Sequence, residues 1–104
     1  MTIRRDHMEI VKAVLARLLP DREVWAFGSR VRGTSKPFAD LDLAVIGETP
    51  LPVSVSGALK EAFSESDIPY RVDVVDWATT TEEFRAIIGA EHVVIHPTTG
   101  PKTP

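Results

Sequence analysis

The sequence predicts an α+β domain in which a small mixed β-sheet is covered by helices, with its elements in the order α-β-β-α-β-α. Three observations carry that expectation. Apolar residues recur at three- and four-residue steps in three segments, short β-branched or aromatic runs lie between them, and Gly or Pro marks most of the junctions. At 104 residues the chain has the length of one domain, and a domain of that size buries roughly two-thirds of the surface its unfolded chain exposes.

Each element follows from local chemistry. From His7 to Leu19, the residues Met8, Ile10, Val11, Val14, Leu15, Leu18 and Leu19 form one apolar stripe at helical spacing, and Pro20 ends it. Glu23 to Phe27 is a short strand-type run that stops at Gly28-Ser29. Residues 30–39 hold Gly33, Ser35, Pro37 and three cations with little periodicity, so they read as a loop with one helical turn after Ser29. Asp40 to Ile46 is the second strand, its acids alternating with leucines and Gly47 closing it. After Pro50 and Pro52, the residues Val55, Leu59, Ala62 and Phe63 sit at helical spacing. Tyr70 to Trp77 follows Pro69 as a third strand. Thr80 or Thr81 then offers an N-cap oxygen to a last helix with Glu82 and Glu83 in its first turn and Phe84, Ile87 and Ile88 as its apolar stripe. Val93 to Ile95 is a brief final apolar run, and residues 97–104 are expected to be an unstructured tail.

Composition removes several classes of function. With 12 Lys+Arg against 15 Asp+Glu, the net charge of −3 argues against a charge-driven grip on nucleic acid or an anionic membrane. The absence of cysteine excludes a disulfide scaffold, a thiolate zinc site and a cysteine nucleophile. No stretch approaches the roughly 18 consecutive apolar residues of a membrane span, and the N-terminus lacks the apolar run of a signal peptide, so a cytoplasmic location is expected. His7, His92 and His96 have no metal-ligand spacing and read as ordinary histidines. Trp25 and Trp77 read as core or edge aromatics, and Tyr70 as a packing residue at a strand start.

The stretch from Gly28 to Asp42 carries the chemistry. Side chains on a strand alternate faces, so Asp40 and Asp42 project together, and their repulsion is relieved by a raised pKa or a shared cation. An oxygen-only site selects a hard ion such as Mg²⁺ or Mn²⁺, which keeps positions for water and substrate phosphate. Gly28 permits close approach of a ligand to the backbone, Ser29 offers a hydroxyl, and Arg30, Arg32 and Lys36 supply cations, Arg32 being the preferred phosphate contact and Arg30 the next. Asp73 lies in the middle of the third strand and reaches the same face if that strand neighbours the second. Asp76 is the other candidate for a third acid, on the opposite strand face and next to Trp77, which favours Asp73. Arg71 shares a face with Asp73 and reads as its ion-pair partner. Such parts suit phosphoryl or nucleotidyl transfer assisted by two metal ions.

Phe27-Gly28-Ser29-Arg30-Val31-Arg32-Gly33, followed after Ala39 by Asp40-Leu41-Asp42 and later by Val72-Asp73-Val74, resembles the minimal nucleotidyltransferases of the polymerase-beta-like superfamily over residues 7–95. The family pattern is Gly-Ser, ten residues, then Asp-x-Asp, matched here without a gap. One departure is Ala39, where many members carry serine; it removes a hydroxyl but no metal ligand. The resemblance implies a minimal nucleotidyltransferase domain over residues 1–96, with Gly28, Ser29, Arg30 and Arg32 on the nucleotide and Asp40, Asp42 and Asp73 as metal-binding, catalytic acids. Chains of this length look like the antitoxin halves of HEPN–nucleotidyltransferase toxin–antitoxin pairs. That implies Mg²⁺-dependent transfer of AMP from ATP to a tyrosine hydroxyl of a HEPN-domain ribonuclease toxin, with no stable nucleic-acid partner. Two other readings stay open: an antitoxin that merely occludes its toxin, and transfer to a small molecule or RNA with a separate helical subunit.

Overall fold

The computed structural model describes residues 1–34 and 36–96; the expected tail at 97–104 lies outside the described residues. The chain runs α1 (Arg5–Leu18), β1 (Val24–Phe27), α2 (Ser29–Arg32), β2 (Leu41–Val45), α3 (Val53–Ser64), β3 (Val72–Asp76), a 3₁₀ turn (Trp77–Thr79), α4 (Glu82–Ala90) and β4 (Val93–His96). The strands form one sheet in the order β3-β2-β1-β4. β1 is antiparallel to both β2 and β4, while β2 and β3 are parallel, so the sheet is mixed as expected.

β4 corrects the sequence reading, which ended in an apolar run rather than a fourth strand. Four residues are too few for a periodic signal, and pairing with β1 across the length of the chain supplies what local propensity lacks. His96 is buried here, and its Nε2 lies 3.0 Å from the Leu19 carbonyl oxygen at the end of α1.

Alternation along the strands sorts the sheet into two faces. Val24 and Ala26 of β1, with Leu41, Leu43 and Val45 of β2, meet Val11, Val14 and Leu15 of α1 and Leu59 and Phe63 of α3 in the main core. Burying each valine, leucine or phenylalanine side chain among them contributes about 1.5–3 kcal/mol. The other face holds a smaller cluster of Phe27, Ala44 and Ile88, with Trp25, Val75 and Trp77 packed against it. The T-shaped pair Trp25–Trp77 and a His92 ring stacked on Trp25 extend that cluster.

Thr81 caps α4, its side chain accepting from the Phe84 amide at 3.2 Å. Only Ile88 of the expected stripe is buried; Phe84 is 36% and Ile87 62% exposed. Asp42 and Asp73 take two positions of the second face, and the apolar patch that meets Ile88 of α4 there is small, centred on Phe27 and Ala44. Among the described residues no helix is long and apolar enough to cross a membrane.

Candidate active site

Asp42 and Asp73 are direct neighbours across the parallel β2–β3 pair, and Phe27 is the partner of Asp42 on its other side. All three side chains therefore project from the second sheet face, in a row with strand spacings of about 4.8 Å. Asp40 lies two residues before Asp42, at the mouth of β2. The parallel register is what joins acids 31 positions apart in sequence.

Gly28 shapes the other wall. Its φ of +83° belongs to the left-handed region, and a Cβ built there would sit 2.3 Å from Oδ2 of Asp42. The backbone turn thus presses against the carboxylate in a space that only glycine leaves open. Ser29 opens α2 directly after it, and the Val31 and Arg32 amides both donate to the Gly28 carbonyl. Gly33, also at positive φ, ends the turn and donates its N–H back to the Ser29 carbonyl.

Burial of the half-buried Asp42 side chain pushes its pKa above the usual carboxylate value, and the charges of Asp73 and Asp40 push the same way, with Arg32 and Arg71 opposing them. Arg71 spans the two flanking acids, its Nε 3.7 Å from Oδ2 of Asp40 and its Nη2 3.5 Å from Oδ1 of Asp73. The sequence suggested its pairing with Asp73; the bridge to Asp40 required the fold. The arginine is largely exposed and the two acids about half exposed, so the bridge adds little stability.

Among the described residues, no three His, Cys, Asp or Glu side chains are gathered closely enough to hold a metal ion as they stand. The donor chemistry nevertheless fits a hard divalent cation. The nearby donors are carboxylates only, while His7 packs on Tyr70, His92 stacks on Trp25 and His96 meets Leu19.

Arg30, expected on the nucleotide, is 4% exposed here, and its guanidinium donates through Nε to the Ala39 carbonyl at 2.9 Å, through Nη1 to that of Thr2 at 2.9 Å and through Nη2 to that of Pro37 at 3.1 Å. It also stacks on the Tyr70 ring, 3.7 Å from the centroid, and Tyr70 in turn is hydrogen-bonded to Nδ1 of His7 at 3.2 Å. Arg30 therefore fastens the segment that delivers Asp40 and Asp42. In this arrangement main-chain carbonyls and the Tyr70 ring take up its guanidinium. Arg32 remains exposed, close enough for its charge to act on Asp42, and Lys36 is exposed on the connecting segment.

Asp76 likewise has a structural task. Its Oδ2 accepts from the Leu51 amide at 2.8 Å and its Oδ1 from the Ala78 amide at 3.2 Å, which secures the end of β3 away from the carboxylate row.

The family model of the nucleotidyltransferase domain matches residues 7–96. The probable protein adenylyltransferase MntA of Haemophilus influenzae is 56% identical over 95 residues, which cover 91% of this chain and 83% of that protein. Among solved structures, a toxin–antitoxin crystal structure with AMP-PNP superposes with a TM-score of 0.74 at 20% identity, covering 88% of this chain and 74% of that one. The complex of the tri-AMPylated Shewanella oneidensis HEPN toxin with its MNT antitoxin gives a TM-score of 0.69 at 17% identity, covering 92% and 74% of the respective chains. Those two likenesses establish the shared fold. The match to the domain model and the identity to MntA establish more: this chain belongs to the nucleotidyltransferase domain family and is an enzyme of the minimal type represented by MntA.

Proposed function

We propose that the chain transfers AMP from ATP to a tyrosine hydroxyl of a HEPN-domain toxin and thereby acts as its antitoxin. The observation that carries this reading is the placement of Asp42 directly opposite Asp73, against the glycine turn at Gly28. The likeness to a protein adenylyltransferase supports a protein acceptor.

In this reading the Gly28-Ser29 turn and Arg32 hold the triphosphate, Gly28 because its backbone can be approached closely and Arg32 because it is free to move. The acceptor oxygen attacks the α-phosphorus and forms a new P–O bond. The bond to the oxygen bridging toward the β-phosphorus breaks, and diphosphate leaves with that electron pair. Asp73, at the open edge of the carboxylate row, takes the acceptor proton. Asp40, Asp42 and Asp73 would hold Mg²⁺, or Mn²⁺, which when bound neutralises charge on the triphosphate and the leaving diphosphate. Arg71, which bridges Asp40 and Asp73, would have to release both carboxylates for them to hold a cation.

Incubation with labelled ATP, Mg²⁺ and a cognate HEPN-domain toxin is expected to label that protein. Asp42→Asn is expected to lower labelling at least a thousandfold while leaving the melting temperature unchanged or slightly raised, because it removes a half-buried charge with like-charged neighbours. Undiminished labelling by that variant would remove Asp42 from the mechanism. Full neutralisation of the toxin by an Asp40→Asn, Asp42→Asn double variant would favour occlusion over catalysis.

A further inference from the structure

We infer that the acceptor segment is bound as an additional β-strand along the open edge of β3, an inference that rests on the protein-acceptor reading above. β3 pairs only with β2 among the described strands, so one side of its backbone faces outward. The Leu41 amide donates to the Arg71 carbonyl, which sets the phase of the ladder. In a parallel pair with that phase, the peptide groups of Asp73 and Val75 turn toward β2, and those of Val72 and Val74 turn to the open edge.

The edge is short and bears Asp73 and Asp76, but it carries no proline and no bulge within Val72–Asp76, and it borders a groove of about 720 Å³ whose far wall is α3, through Ser56, Lys60 and Ser64. Asp73 of the carboxylate row lines the same groove. The unpaired peptide groups suit an extended polypeptide, which would complete the ladder with main-chain hydrogen bonds.

Register then says what such a strand achieves. Side chains of directly paired residues lie on the same face of a sheet, so the residue opposite Asp73 would extend the row formed by Asp73, Asp42 and Phe27. A hydroxyl-bearing side chain at that one position points to the nucleotide side with Asp73 as its nearest carboxylate. Residues on either side of it turn to the opposite face. A domain with little surface beyond its active face thus selects an acceptor through its own backbone, and a hydroxyl on a rigid helix is not accepted unless the segment unwinds.

The test uses the full chain and the HEPN protein as acceptor. Val74→Pro removes one outward amide without removing a bond to β2; proline is tolerated at an edge with its nitrogen facing out, and Asp73 before it is already extended. Ser56→Trp fills the groove from the exposed wall of α3 and leaves β3 untouched. Each is expected to raise the KM for the acceptor protein at least tenfold while Mg-ATP affinity stays within twofold. In the complex, amide hydrogen exchange is expected to slow at least tenfold at Val72 and Val74, with little change at Asp73 and Val75, which β2 already protects. Unchanged acceptor KM in Ser56→Trp, or exchange at Val72 and Val74 that ignores the partner, overturns the inference while leaving the transfer activity standing. Protection at those amides that instead grows with the concentration of this chain alone identifies a second copy as the occupant and also overturns it. If the wild-type chain labels no HEPN protein at all, the functional reading fails, and this inference falls with it.

Discussion

Arg30 and Arg32 lie two residues apart in one helical turn and have opposite fates. Arg30 is enclosed beneath the motif, donating to three main-chain carbonyls and stacked on Tyr70; Arg32 stands in solvent on the side of Asp42. At about 100° per residue, two positions on a helix point some 200° apart, so one turn cannot present both to the same ligand. The comparison teaches that a motif rich in cations divides its labour. One arginine sets the geometry of the carboxylate segment from below, and the other answers charge from above.

Breaking the lower half is expected to have the largest effect. Arg30→Ala should cost about 3 kcal/mol of stability, since it strands buried carbonyl groups and uncovers the Tyr70 ring. Arg30→Lys should recover only part of that loss, because an ammonium cannot reproduce a planar fork serving three acceptors. Denaturant titration measures both, and an Arg30→Ala chain of wild-type stability would refute the fastening role.

Gly28 lies where the two halves meet. Gly28→Ala is expected to lower kcat for AMP transfer about a hundredfold, since its methyl group must displace the Asp42 carboxylate and the residue must hold a positive φ. Steady-state kinetics beside a melting curve separates this from unfolding. Arg32→Ala sharpens the contrast with Arg30. Its stability should stay within about 0.5 kcal/mol of wild type, with KM for Mg-ATP rising about tenfold and affinity becoming less sensitive to salt.

The smallest effect is a pH dependence. Because Asp42 binds its proton more tightly folded than unfolded, the metal-free chain should lose some stability as pH rises from the ordinary aspartate value through the raised folded one. The sign is opposite to that of a salt-bridged carboxylate. Asp42→Asn should remove this slope, and urea midpoints between pH 4 and about 7 would detect it. Nucleotide binding that requires the ionised carboxylate should weaken toward the acid end of the same range.

Much of this protein is legible in its residues. The helical stripes of α1 and α3, the two acid-bearing strands and the turn after Ser29 all follow from periodicity and punctuation, because they are local properties of the chain. The Gly-Ser and Asp-x-Asp segments belong to that legible part, and they point to phosphate chemistry through their residue types and their resemblance to the family pattern. Four things were decided only by the tertiary structure. β4 forms because β1 offers it an edge. Asp73 enters the carboxylate row because β3 runs parallel to β2 in a register that sets it opposite Asp42. Asp76 is committed elsewhere by the Leu51 and Ala78 amides. Arg30 is withdrawn from solvent by carbonyls from residues 2, 37 and 39. Each depends on a contact between segments far apart in the chain, or on the side of a helical turn that the packed core happens to claim. Local sequence specifies which groups are available, and only long-range packing assigns them to the interior or to the ligand.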